Sequence, residues 1–78
     1  MPRITRIGPY RLFFYSNEGV EPLHIHVQRE SKVAKFWLQP VGLRSSTRFS
    51  PEELRKLERL VRENQERLLE AWHGYFNR

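Results

Sequence analysis

The strongest constraint on this chain lies in its last third, where Ser50-Pro51-Glu52-Glu53 opens a helix. Serine at the N-cap, proline at N1 and glutamate at N3 make a capping box with the favoured first residue. Apolar residues then recur at 54, 57, 60, 61, 68, 69, 72, 75 and 76, a helical stripe. Glu58 to Arg62 and Glu63 to Arg67 are i,i+4 pairs in the better orientation. With Gly74 as the first stop signal, the pattern predicts one helix over about 51–73.

Such a helix is roughly 35 Å long at about 1.5 Å per residue. A six-residue strand spans only about 20 Å. A straight helix therefore overhangs any sheet the remaining residues build, unless a second chain or a bend covers it. Asn64 and Gln65 fall midway on the stripe, dividing Leu54, Leu57, Leu60 and Val61 from Leu68, Leu69, Trp72 and Phe76. The first cluster is expected on the sheet. The second is a candidate interface for a small protein partner or for self-association; the alternative is packing onto the chain's own aromatic strand.

Upstream, the signals are those of strands. Residues 1–9 read as a lead-in closed by Gly8-Pro9. Tyr10 to Tyr15 is aromatic-rich and reads as a strand with both faces partly covered. Ser16-Asn17-Glu18-Gly19 supplies turn chemistry, and Pro22 restricts Glu21 to extended conformations. A second strand is expected at about 23–29, then a short polar connection, then a third at 33–38 with Ala34, Phe36 and Leu38 on one face and Val33, Lys35 and Trp37 on the other. Pro40 and Gly42 interrupt the pattern, and 41–47 is a further strand or a loop. The expected fold is α+β: one small domain with a meander of three or four antiparallel strands packed against one long C-terminal helix.

With 78 residues the chain is near the lower limit for an unaided apolar core, and without cysteine it has neither disulfides nor thiolate zinc sites. No apolar run has the length of a signal peptide core or a membrane span, so a cytoplasmic protein with no membrane partner is expected.

Chemistry concentrates in Glu21-Pro22-Leu23-His24-Ile25-His26-Val27. On a strand Leu23, Ile25 and Val27 face one way and His24, His26 and Gln28 the other, with the two histidine Cα atoms roughly 6–7 Å apart. Two neutral imidazoles on one face suit a divalent transition metal such as zinc, nickel or copper, but a usual site needs a third or fourth ligand. Glu18, Glu21 and His73 are the candidates, and none has a recognisable metal spacing. The same pair could act as acid and base on RNA, with Arg29, Lys32 or Lys35 stabilising the phosphorane. A structural role, bonded to a loop or stacked on Trp37, is the third alternative.

The formal charge is +5, from fourteen Lys/Arg against nine Asp/Glu, spread along the chain without a polybasic tail. That balance favours nucleic acid or an acidic partner. Arg55, Arg59 and Arg62 share one arc of the helix and could track a phosphate backbone; the alternative is a solvated face neutralised by Glu58, Glu63 and Glu66. Lys35 beside Trp37 is a cation next to a ring, a pairing that serves single-stranded RNA, although such a tryptophan is more often core.

The run Arg6-Ile7-Gly8-Pro9-Tyr10, the aromatic strand through Phe14-Tyr15, the Glu21-to-Val27 segment and the ending Leu68-Leu69-Glu70-Ala71-Trp72 resemble the small bacterial family called Domain of Unknown Function 4160. Its mark is proline followed by His-x-His-Val, commonly with a second proline and an aromatic residue where this chain has Leu23 and Ile25. The resemblance implies a small intracellular protein without an established activity, often beside another small protein in a toxin–antitoxin-like pair. It makes a protein partner the leading expectation, with a ribonuclease using His24 and His26, or an RNA- or DNA-binding regulator, as alternatives. It names no catalytic residue.

Overall fold

The computed structural model describes residues 5–15 and 22–76. The turn expected at 16–19 and the restriction expected at Glu21 lie outside them. Five strands run β1 (Thr5–Ile7), β2 (Tyr10–Phe13), β3 (His24–Arg29), β4 (Lys32–Leu38) and β5 (Val41–Thr47), followed by α1 (Pro51–Glu63) and α2 (Gln65–Phe76). The sheet is antiparallel and its spatial order is the chain order, so the meander is as expected.

Two counts differ from the expectation. There are five strands, because the segment read as a lead-in contributes β1. Gly8-Pro9 is the turn of a tight hairpin rather than a terminus, and Gly8 takes the positive φ of 58° that its first position demands. There are also two helices rather than one. Asn64 ends α1: its backbone N–H is shared between the carbonyls of Leu60 and Val61, and its side-chain Nδ2 donates to the Leu60 oxygen at 2.8 Å. An asparagine amide that bonds the preceding turn competes with the helical ladder. Leu68 N–H bonds back to Asn64 O, so α2 begins without a loop.

The core lies between one face of the sheet and both helices. Leu12, Ile25, Val27, Phe36 and Leu38 from the strands meet Leu57, Val61 and Leu68 from the helices, all with no exposed surface. Gln65 Nε2 donates to Leu38 O at 2.6 Å and Arg67 NH2 to Thr5 Oγ1 at 3.1 Å. These bonds hold α2 against the end of the sheet where β1 starts and β4 stops. Phe14, just past β2, packs its ring on Trp72, Tyr75 and Phe76 at centroid distances of 5.1–5.3 Å.

The second apolar cluster is thereby placed. Leu68 and Trp72 are buried in the chain's own core, and Leu69 and Phe76 are half-buried against it. The overhang derived for a straight helix is absent among the described residues, and packing onto the aromatic strand takes its place. No helix among those residues is long and apolar enough to cross a membrane.

Removing a fully enclosed leucine costs its transfer free energy plus a cavity term. Leu68→Ala and Leu57→Ala are therefore each expected to lower the unfolding free energy by about 2–5 kcal/mol in urea denaturation. A change near zero for Leu68→Ala would mean that this helix end faces outward.

Candidate functional site

Because side chains alternate, the pairing register decides which residues stand together on the face away from the helices. Arg6 pairs with Arg11, Arg11 with Gln28, and Phe13 with His26. His26 pairs with Lys35, His24 with Trp37, and Lys35 with Ser45. None of these residues is acidic. The face thus carries Arg6, Arg11 and Lys35 among aromatic and hydroxyl side chains.

His26 is at the centre of it. Its ring stacks on Phe13 at 5.4 Å and 23°, and meets Tyr15 edge-on at 5.1 Å. Lys35 Nζ lies 5.4 Å from the Trp37 ring centroid, and the Arg11 guanidinium 5.6 Å from that of Phe13. Both contacts are within the range of a cation–π attraction, which preorganises the cations beside flat surfaces. His26, Lys35 and Trp37 are half-buried, while Phe13 is enclosed. Between His26, Lys35, Ser45 and Thr47 there is a hollow of about 130 Å³.

His24 shares the face with His26 as the strand spacing predicts, but it is in a different situation. It has no exposed surface, and its Nδ1 donates to Pro22 O at 2.8 Å, which puts a proton on that nitrogen. Its ring is perpendicular to His26 at 5.1 Å and packs on Trp72 at 5.0 Å, with Trp37 at 6.2 Å. An acid–base pair requires both imidazoles to reach one substrate. The enclosed ring of His24 lacks that access.

As a metal centre the pair is incomplete in what is described. No group of three His, Cys, Asp or Glu side chains gathers among the described residues. His73 is exposed on α2, and the other two candidates, Glu18 and Glu21, lie outside those residues.

The other cations singled out in the sequence are not brought to this face. Arg55, Arg59 and Arg62 are exposed on α1, whose opposite side carries the buried Leu57 and Val61, so they point away from the sheet. Arg62 pairs with Glu58 at 2.9 Å, as a solvated helix face would. Arg29 turns toward the helix start, where NH1 reaches Glu53 Oε2 at 3.0 Å. Lys32 lies 3.6 Å from the other carboxylate oxygen, and the Tyr10 hydroxyl donates to Oε2 at 2.9 Å. Ser50 Oγ accepts from Glu53 N–H at 3.1 Å, as the capping box requires. The Glu53 side chain, however, bonds across to the sheet.

Two residues of the open face went unread in the sequence, Arg6 and Arg11. The signal was available: Gly8-Pro9 stands between Arg6-Ile7 and Tyr10-Arg11 as a two-residue turn would, with a glycine first.

A family model described as a domain of unknown function (DUF4160) matches residues 10–73. No curated protein and no solved structure matches the chain.

The Glu53 carboxyl is held below its ordinary 4.5, first by the Tyr10 hydrogen bond and then by Arg29 and Lys32. Burial, followed by the bond to Glu53, raises Tyr10. A carboxylate with a depressed folded-state pKa adds stability above its unfolded value and loses it as pH falls through the folded one. Glu53→Gln is therefore expected to lower the melting temperature at neutral pH. The gap to the parent chain should close as pH falls from the ordinary carboxylate range through the lower folded-state value. A gap that stays constant as the parent chain's carboxylates are protonated would contradict this assignment.

Proposed function

We propose that this chain, which belongs to the DUF4160 family of domains of unknown function, is a binding module for single-stranded nucleic acid. The observation that carries the reading is the sheet face away from the helices, on which Arg11 and Lys35 each lie over an aromatic ring. Single-strand binders combine cations that follow the backbone with rings on which bases stack. Trp37, His26 and the exposed Tyr15 supply the rings here, and Lys35 and Arg11 the charge. The net charge of +5 favours the encounter.

The other two readings have less support in the geometry. A ribonuclease needs His24 in contact with substrate, and its ring is enclosed. A protein partner at the helix end would dock on Leu68, Leu69, Trp72 and Phe76, of which the chain itself buries Leu68 and Trp72 and half-buries Leu69 and Phe76. Arg55, Arg59 and Arg62, on the far side of the molecule, belong to no common surface with Lys35 and Trp37.

Binding of a fluorescent oligouridine, followed by anisotropy, is the experiment. Trp37→Ala is expected to weaken it by about 1–3 kcal/mol, the range for losing one stacked base. Lys35→Gln should weaken it less and reduce the salt dependence by about 0.7 in log–log slope, as for one phosphate contact. Arg55→Gln should change neither. No measurable binding by the folded parent chain, or equal losses from Arg55→Gln and Lys35→Gln, would overturn the proposal.

A further inference from the structure

Arg6 and Arg11 are direct cross-strand partners in the β1–β2 hairpin, with side chains on the same face. Like charges in directly opposed positions destabilise a strand pair. A carboxylate neighbour would relieve the repulsion, yet among the described residues neither arginine forms an ion pair. Glu30 borders the same cleft without an ion pair to either arginine, and its backbone carbonyl accepts from Gln28 Nε2 at 3.1 Å. The two arginines thus line a cleft of about 350 Å³, and among the described residues no carboxylate is paired with either.

We propose that this cleft is a phosphate-binding subsite, with Arg6 and Arg11 as its ligands. Guanidinium forks make paired, charge-assisted bonds to tetrahedral oxyanions, and two of them match the charge of a phosphate group. Arg11 is already held for the task. Its NH1 donates to Gln28 Oε1 at 3.2 Å, and its guanidinium lies over Phe13. Ordering it in advance reduces the entropy lost on binding. Arg6 is exposed and can close from the other side. Arg29 also borders the cleft, but its NH1 is bonded to Glu53 and it serves as a wall.

The subsite adjoins the proposed base-stacking surface, since Phe13 links Arg11 to His26. It rests on the nucleic-acid reading for the source of its phosphate, but its chemistry does not depend on that reading. The site is built by the hairpin that the family match only partly includes, since the matched region starts at residue 10.

The test begins with inorganic phosphate, titrated against the side-chain Nε–H NMR signals of Arg6 and Arg11, with chloride at equal ionic strength as control. Saturable shifts of both arginines with phosphate are expected, and the Arg11 shift should disappear in Arg6→Gln. Equal responses to phosphate and chloride overturn the subsite. Oligouridine with and without a 5′-phosphate then distinguishes the sources. Filling by an internal phosphodiester predicts that the folded double variant Arg6→Gln/Arg11→Gln loses about 1.4 in salt slope, the value for two single-strand contacts. Filling by a terminal phosphate predicts tighter binding of the phosphorylated strand, and loss of that gain in the double variant. If oligouridine binds but the double variant changes neither quantity, the subsite falls while the nucleic-acid reading stands. If phosphate shifts both arginines and no oligouridine binds, the reverse holds.

Discussion

Strand alternation couples the two faces of this sheet. Burying Leu12, Ile25, Val27, Ala34, Phe36 and Leu38 under the helices forces Arg11, Phe13, His26, Lys35 and Trp37 to the other side. A slip of one residue would exchange the two sets, placing cations in the core and leucines in water. Core burial and presentation of the open face are therefore one constraint. What the open face can bind is set by which face the helices occupy.

Two polar devices secure that choice. At the start of α1, Glu53 collects Tyr10, Arg29 and Lys32 from three neighbouring strands, so the helix is tied to the sheet where it begins. At Asn64 the helical run is interrupted, and Gln65 and Arg67 bond to Leu38 and Thr5. Without the interruption, Leu68 and Trp72 would continue beyond the strands. With it they close the end of the sheet, and Trp72 encloses His24 as well as Phe14. The fate of one histidine is thus decided by a helix break some forty residues later in the chain.

Much of this was legible in the residues. The capping box, the strand faces of 23–29 and 33–38 and the division of the helical stripe at Asn64-Gln65 all have local signatures. A bend was among the ways to resolve the overhang, but the stripe alone does not choose between a bend and a partner. The short β1 escaped because three residues are too few for a period to show, and its identity rests on pairing with β2. His24 and His26 look equivalent on a strand. Their difference arises from Trp72 and Pro22, contacts that strand periodicity does not contain. Glu53 is similar: its spacing marks a capping residue, while its side chain bonds to the sheet.

The two tryptophans stand on opposite sides of this division. Trp37 stands half-buried on the open face beside Lys35, and Trp72 is enclosed in the core. They are the chain's only tryptophans, so their indole N–H signals report separately on the two sides of the sheet. The most direct measurement is a heteronuclear NMR titration of the intact protein with oligouridine, following both signals. The account predicts a saturable shift of the Trp37 indole together with backbone amides of β2–β4, while Trp72 and the exposed amides of α1 stay in place. Shifts centred on α1, or no shift at Trp37 when the oligonucleotide binds, would contradict it.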